Sequence, residues 1–312
     1  METTAPVPVA QELTRPRSLS APLRLRLSSG IVPYLFILPK FVFFSLFMVF
    51  PLGWTVVMAF QSGAILKGPR FVGFENYGKI FQDELFWTGL RNSFYYTIFV
   101  IPSVIVLGIL LAALLNRPIR FRPFFILLLI VPTVSSTVAA SVIWGYLLHT
   151  ENGLFNSLLR AVGLDPVNWL GTANLVMLIF VALELWRGVG FYAILFLAAM
   201  QSIPQHLYDA AAIDGATGIQ AFRLVTLPLM RPVLLFATVI ATVWNLQIFD
   251  SPYVMTKGGP GYASMTIVMY IYQMAFKFDE MGVAATMALI LFVIIMALAV
   301  LQLTVFRKEI QF

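Results

Sequence analysis

Two ionisable residues stand inside an otherwise apolar run, Leu183-Glu184-Leu185-Trp186-Arg187-Gly188. A charge within a lipid-spanning segment costs about 2.5–3.5 kcal/mol, so such residues face a bundle interior or a watery cavity. Glu184 and Arg187 are three apart, share one helical face and can pair. A purely structural ion pair fits the same residues, because a pair costs less than either charge alone. A second cluster is Trp244-Asn245-Leu246-Gln247, followed by Asp250. An indole face stacks on the C–H face of a sugar ring while neighbouring amides bond its hydroxyls; the same residues also serve as glue between membrane helices. A third group lies in a polar, alanine-rich interruption over 202–232. There Asp209 and Asp214 place acceptors beside Ala210, Ala211 and Ala212, side chains small enough to let another backbone approach.

Other chemistry is excluded by what the sequence contains. It has no cysteine and two histidines, His149 and His206. Disulfides, thiolate chemistry and cysteine-ligated metals are therefore ruled out, and the topology below puts the two histidines on opposite sides of a membrane, where they cannot share a metal. No G-x-x-x-x-G-K-[ST] loop is present to cradle a nucleotide. No catalytic residue emerges, and any ATP-derived energy must come from a partner.

The elements that position these residues are membrane spans. The 312 residues are 60% hydrophobic and only 11% charged, with a mean hydropathy of +0.89. That much apolar surface does not fit inside a water-soluble core. The net charge of +6 then reads as a membrane-orientation signal, and nucleic-acid binding is not expected. Residues 1–30 form a basic tail with Arg15, Arg17, Arg24 and Arg26, and the apolar stretch after it is too long for a secretory signal. Apolar runs of spanning length lie at about 31–60, 89–115, 123–148, 172–200, 227–250 and 283–306. The expected fold is all-α, a polytopic membrane protein of six helices occupying 31–312, both termini on one side. Lys40 near the start of the first run can snorkel to the surface. Short loops carry Arg117, Arg120 and Arg122, then Arg223, with Arg307 and Lys308 near the end, which places those loops in the cytoplasm. The bias is modest, since Lys67, Arg70, Lys79, Arg91, Arg160, Lys257 and Lys277 fall on the opposite side. Pro102, Pro132, Pro228 and Pro232, in or beside apolar runs, mark kinks.

Within the interruption, Ser202 and Gln205 have the spacing of a capping box around Pro204, predicting a helix over about 203–213. Gly215 suits the left-handed position just past it, and a second short helix runs through Phe222.

The residues Tyr208-Asp209-Ala210-Ala211 through Asp214-Gly215-Ala216, then Phe222, Leu227-Pro228 and Pro232, resemble the cytoplasmic E-A-A-x-x-x-D-G-A loop of the permease subunits of ABC importers. Asp209 stands where that pattern has Glu, one methylene shorter with the charge kept. Thr256-Lys257-Gly258-Gly259-Pro260, with Thr266 downstream, resembles the T-x-G-G-P external loop of carbohydrate-importer permeases; alone, Gly-Gly-Pro marks only a turn. The resemblance implies an inner-membrane subunit, bacterial or archaeal, that imports a sugar or oligosaccharide. Glycerol 3-phosphate or a glycerophosphodiester is the alternative substrate, with Arg187 as anion contact; an ion-coupled secondary transporter is a distant one. It further implies a second, homologous permease, an ABC ATPase dimer that binds ATP and Mg, and an extracellular or periplasmic substrate-binding protein. The chain itself would hold no cofactor or metal. The coupling loop, 202–226, would engage the ATPase through Tyr208 to Ala211, Asp214 to Ala216, Phe222 and Pro228. The spans on either side would line a translocation cavity with Glu184, Arg187, Gly188 and Phe191 from one and Trp244, Asn245 and Gln247 from the other.

Overall fold

A computed structural model describes residues 32–62, 68 and 70–307. The basic tail expected over 1–30, together with Gly63, Lys67, Pro69 and Lys308, lies outside the described residues. The chain divides between Gly53 and Trp54 into two compact units. The helices are α1 (Val32–Phe44), continued through a π turn (Ser45–Val49) into α2 (Phe50–Ala59), then α3 (Glu75–Phe81), α4 (Glu84–Leu115), α5 (Arg122–Val134), α6 (Thr137–Leu147) and α7 (Leu154–Ala161). They are followed by α8 (Ala173–Gln201), α9 (Gln205–Ile213), α10 (Gly218–Ala221), α11 (Leu227–Leu229), α12 (Arg231–Leu246), α13 (Asp250–Met255), α14 (Ile267–Phe276) and α15 (Met281–Arg307). A two-stranded ribbon, β1 (Gln61–Ser62) with β2 (Arg70–Phe71), is a small addition to the all-α class.

Among the described residues, five stretches are long and apolar enough to cross a membrane: Pro33–Ala59, Glu84–Leu115, Ala173–Gln201, Arg231–Met255 and Met281–Val305. The run at 123–148, expected as one span with a kink at Pro132, is the pair α5 and α6, bent by 97°. The local cause is visible. The Pro132 carbonyl accepts both the Ser135 amide and, at 2.6 Å, its hydroxyl, and Ser135 turns extended (ψ 145°) before α6 begins. Counting the bent pair as one span gives six. Pro102 is accommodated within α4, whereas Pro228 and Pro232 sit in the first turns of α11 and α12, where a missing N–H leaves no gap.

In the larger unit α4 and α8 pack against each other most extensively, with α12 beside both. Tyr96, Val100 and Val104 of α4, Phe180, Tyr192 and Phe196 of α8, and Ala237 and Ala241 of α12 form one buried cluster. A second joins Ile80, Phe86 and Leu90 to Met269, Tyr270 and Met287. In lipid, helices associate through close packing of small residues more than through exclusion of water. Gly108 illustrates this, since a Cβ there would sit 2.9 Å from the Tyr192 Cβ. Gly190 is tighter still: a Cβ would come within 2.0 Å of the Leu129 carbonyl oxygen of α5. One turn away the Thr133 hydroxyl donates to the Arg187 carbonyl at 2.8 Å, so the bent pair is fastened to α8 at two points.

Gly190→Ala should force α5 off α8, and overpacking of this kind costs about 1–3 kcal/mol. The expected result is a lower thermal-unfolding midpoint for the purified protein, while Gly78→Ala, whose added methyl would meet nothing within 4 Å, leaves it unchanged.

Candidate functional site

The intramembrane charges pair as their spacing predicts. Arg187 donates from Nη2 to both Glu184 oxygens, at 2.7 and 3.0 Å, and from Nε to Oε2 at 3.2 Å. Gly188 makes this geometry possible, because a Cβ on it would stand 2.7 Å from Glu184 Oε1. The pair opens onto a cleft of about 230 Å³ whose wall includes Trp244, Asn245, Gln247 and Asp250. Phe191 backs the cleft through a ring contact with Trp244, centroids 5.7 Å apart. The two clusters singled out in the sequence therefore meet in space, with Gly188 shaping the carboxylate's seat.

The Asn245 amide donates to the Ala241 carbonyl at 2.8 Å and the Gln247 amide to the Val243 carbonyl at 2.9 Å, each along α12 itself. These donors do not bridge helices, so interhelical glue finds no support in them. The helix ends at Leu246, and a short break at 247–249 precedes α13, whose first turn carries Asp250. Five wall residues escaped sequence reasoning: Tyr96 from α4, Thr137 at the start of α6, Ile248 and Phe249 in the break after α12, and Ser251. Thr137 carried a usable signal, the Pro-x-x-Ser-Ser break just before it; Tyr96 was one aromatic among many in an apolar run. An aromatic face, amide and hydroxyl groups and a neutralised charge pair can bind a polyhydroxylated molecule. Among the described residues no group of three His, Asp or Glu side chains could hold a metal ion.

The 202–226 loop connects the two helices that carry these residues. Its first helix, α9, starts at Gln205 with Pro204 in the capping position, and the expected capping box at Ser202 and Gln205 does not form. Ser202 instead closes α8, its hydroxyl donating to the Ala199 carbonyl, while the Gln205 amide donates to Asp209 at 3.3 Å. Geometry explains the failure: α8 runs on through Gln201, which leaves Ser202 as its C-terminal cap. A true capping box occurs at the second helix, where the Thr217 amide donates to Gln220 Oε1 at 2.7 Å and the Gln220 amide to Thr217 Oγ1. Gly215 is left-handed as predicted (φ +78°). Around it Ala216 N–H bonds Ala211 O and Gly215 N–H bonds Ala212 O, a full Schellman motif. Ala210, Ala211, Asp214, Gly215 and Ala216 line one concave surface of about 410 Å³. Tyr208 ties α9 to the returning chain through Thr226 at 2.9 Å, and Phe222, which opens a π turn, packs onto the first core cluster ahead of Pro228.

The 256–266 segment is held from within and from α4. The Thr256 and Ser264 hydroxyls lie 2.7 Å apart, and Ser264 reaches the Gly259 carbonyl at 2.6 Å. The Asn92 amide donates to the carbonyls of Tyr262 and Met265, the Ile267 amide donates to Ser93, and Thr266 donates to the Ile248 carbonyl beside the cleft. Gly258 is left-handed (φ +93°), and the Gly259–Pro260 bond is cis.

Residues 86–309 match the family model described as the binding-protein-dependent transport system inner membrane component. The chain belongs to this family. It is thus a multi-pass inner-membrane transport subunit of a binding-protein-dependent system. Among its relatives, a probable ABC transporter permease of Bacillus subtilis is 34% identical over 89% of this chain and 96% of that protein. The arabinooligosaccharides transport system permease of the same organism is 33% identical over 88% of each. In fold the chain matches, with a TM-score of 0.81 and 24% identity over 90% of this chain and 96% of the other, a crystal structure of a bacterial ABC transporter involved in import of the acidic polysaccharide alginate.

For this permease, Gly188→Ala should displace the Glu184 carboxylate and leave Arg187 poorly paired. A charge-assisted hydrogen bond is worth about 1.5–3 kcal/mol, so uptake by the reconstituted importer should fall roughly tenfold or more with insertion retained.

Proposed function

We propose that the chain forms half of the pathway by which an ABC importer moves a sugar or oligosaccharide, and that the 205–222 segment couples it to an ATPase. One observation carries this reading: the helices entering and leaving the loop, α8 and α12, both supply walls of the cleft. A push on the loop therefore acts on both walls. In this scheme the concave face of Ala210, Ala211, Asp214, Gly215 and Ala216 seats a surface of the ATPase, which binds ATP and Mg. Two ATPase subunits need two such loops and the chain supplies one, so a second, homologous permease completes the pore. A substrate-binding protein delivers the sugar on the opposite face, where the 256–266 segment lies. Both termini and the coupling loop are then cytoplasmic. Permeases related in sequence include one named for arabinooligosaccharides. A neutral sugar suits the cleft better than a phosphorylated polyol, because the Arg187 guanidinium is already engaged by Glu184 and Asp250 adds an acid.

Gly215→Asp tests this. A side chain at Gly215 would meet nothing within 4 Å of its own chain. Aspartate also tolerates the left-handed backbone better than most residues. The subunit should therefore insert and assemble, ATP hydrolysis should persist, and uptake in proteoliposomes should drop at least tenfold. Normal uptake would count against the ATPase seat.

A further inference from the structure

The coupling loop has a second face, opposite in character to the first. There the last turns of α4 and the outer side of α10 and the π turn enclose a groove of about 1110 Å³. Its walls are almost wholly apolar, with Val106, Ile109 and Leu110 on one side and Ile219 and Phe222 on the other. Ile219 is 75% and Leu110 55% exposed. The polar side chains in its lining are Asn116 and Arg117, just past the end of α4, Thr217 at the start of α10, and the hydrogen-bonded Tyr208 and Thr226. Arg117 takes part in neither the Glu75–Lys79 nor the Glu184–Arg187 ion pair. The acids of the loop are turned to other work, Asp209 to Gln205 and Asp214 to the concave face. Arg120 and, at the start of α5, Arg122 follow within five residues, and the buried Nε of Arg122 has no hydrogen-bond partner.

We propose that this groove holds an anionic phospholipid, an acyl chain lying between α4 and the coupling loop and the phosphate at Arg117. Charge chooses this occupant. The basic N-terminal stretch with Arg15, Arg17, Arg24 and Arg26 would meet like charge at the rim. So would the cytoplasmic end of another membrane helix, because such ends are themselves rich in lysine and arginine. Anionic headgroups are attracted to basic pockets between helices on the cytoplasmic side. The inference rests on the coupling loop being cytoplasmic, as proposed above. It makes the loop two-sided, with small residues and Asp214 toward the ATPase, and an apolar groove edged by Arg117 toward the bilayer.

The complete importer, exposed to mixed phosphatidylcholine–phosphatidylglycerol vesicles and repurified in mild detergent, is analysed for bound lipid by mass spectrometry. With Arg117→Gln, retained phosphatidylglycerol should fall about fivefold while phosphatidylcholine is unchanged, as expected for one lost arginine near an anionic surface. Leu110→Trp, which fills the groove, should lower both lipids, and Arg91→Gln, near the opposite end of α4, should change neither. Equal phosphatidylglycerol in all four proteins would overturn the proposal. So would capture of a protein chain, rather than lipid, by a photoreactive group at Ile219. Failure of the coupling reading itself would show separately, as normal uptake by Gly215→Asp with the lipid result intact.

Discussion

Glu184 and Arg187 cannot face lipid, and that constraint settles where α8 goes. Removing either member of a buried pair leaves an uncompensated charge, at a cost of about 3–5 kcal/mol. The helix that carries the pair must therefore sit inside the bundle, walled by α4, the bent α5 and α6, and α12. Two neighbours approach α8 through a glycine: α4, with Gly108 against Tyr192, and α5, with its Leu129 carbonyl against Gly190. The cleft is what remains where α12 breaks at 247–249 and α6 begins, next to the neutralised charges.

The same helix runs without interruption from the pair to the 202–226 loop, and α12 returns from that loop to Trp244 and Asn245. The loop is rigid for identifiable reasons. A Schellman motif closes α9, a capping box opens α10, and the Tyr208–Thr226 contact ties the outgoing arm to the incoming one. A stiff bracket between two cleft walls transmits displacement in a way a slack connection does not. Its two surfaces differ: one is lined by small residues with Asp214, Gln220 and a few aliphatic side chains, the other is almost wholly apolar with Arg117 among its lining residues.

Much of this was legible in the residues. Charges three apart in an apolar run announced the pair, and Gly215 announced the left-handed turn, because each reflects a local rule. The amide and indole cluster also found its place, although its meeting with the charge pair is a tertiary fact that no spacing encodes. The capping box at Ser202 was misplaced because the last turn of α8 claimed that serine; the same signature, Thr-x-x-Gln, stood fifteen residues on at Thr217. Hydropathy alone made 123–148 a single span, since it weighs apolar character and ignores the hydrogen bonds by which Ser135 ends α5 at Pro132. Tyr96 was invisible for a different reason: its role comes only from lying opposite Glu184 and Asn245 in the folded cleft.

The central idea is that this bracket faces the cytoplasm and is seated on a nucleotide-hydrolysing subunit. With no native cysteine to interfere, a single one at Ile213, a side chain 87% exposed at the end of α9, can be coupled to a short photo-crosslinker in the assembled importer. Cross-linking to the ATPase, with no labelling of the cysteine by a membrane-impermeant reagent added outside the cell, is the expected result. Labelling from outside, or cross-links that never include the ATPase, would contradict it.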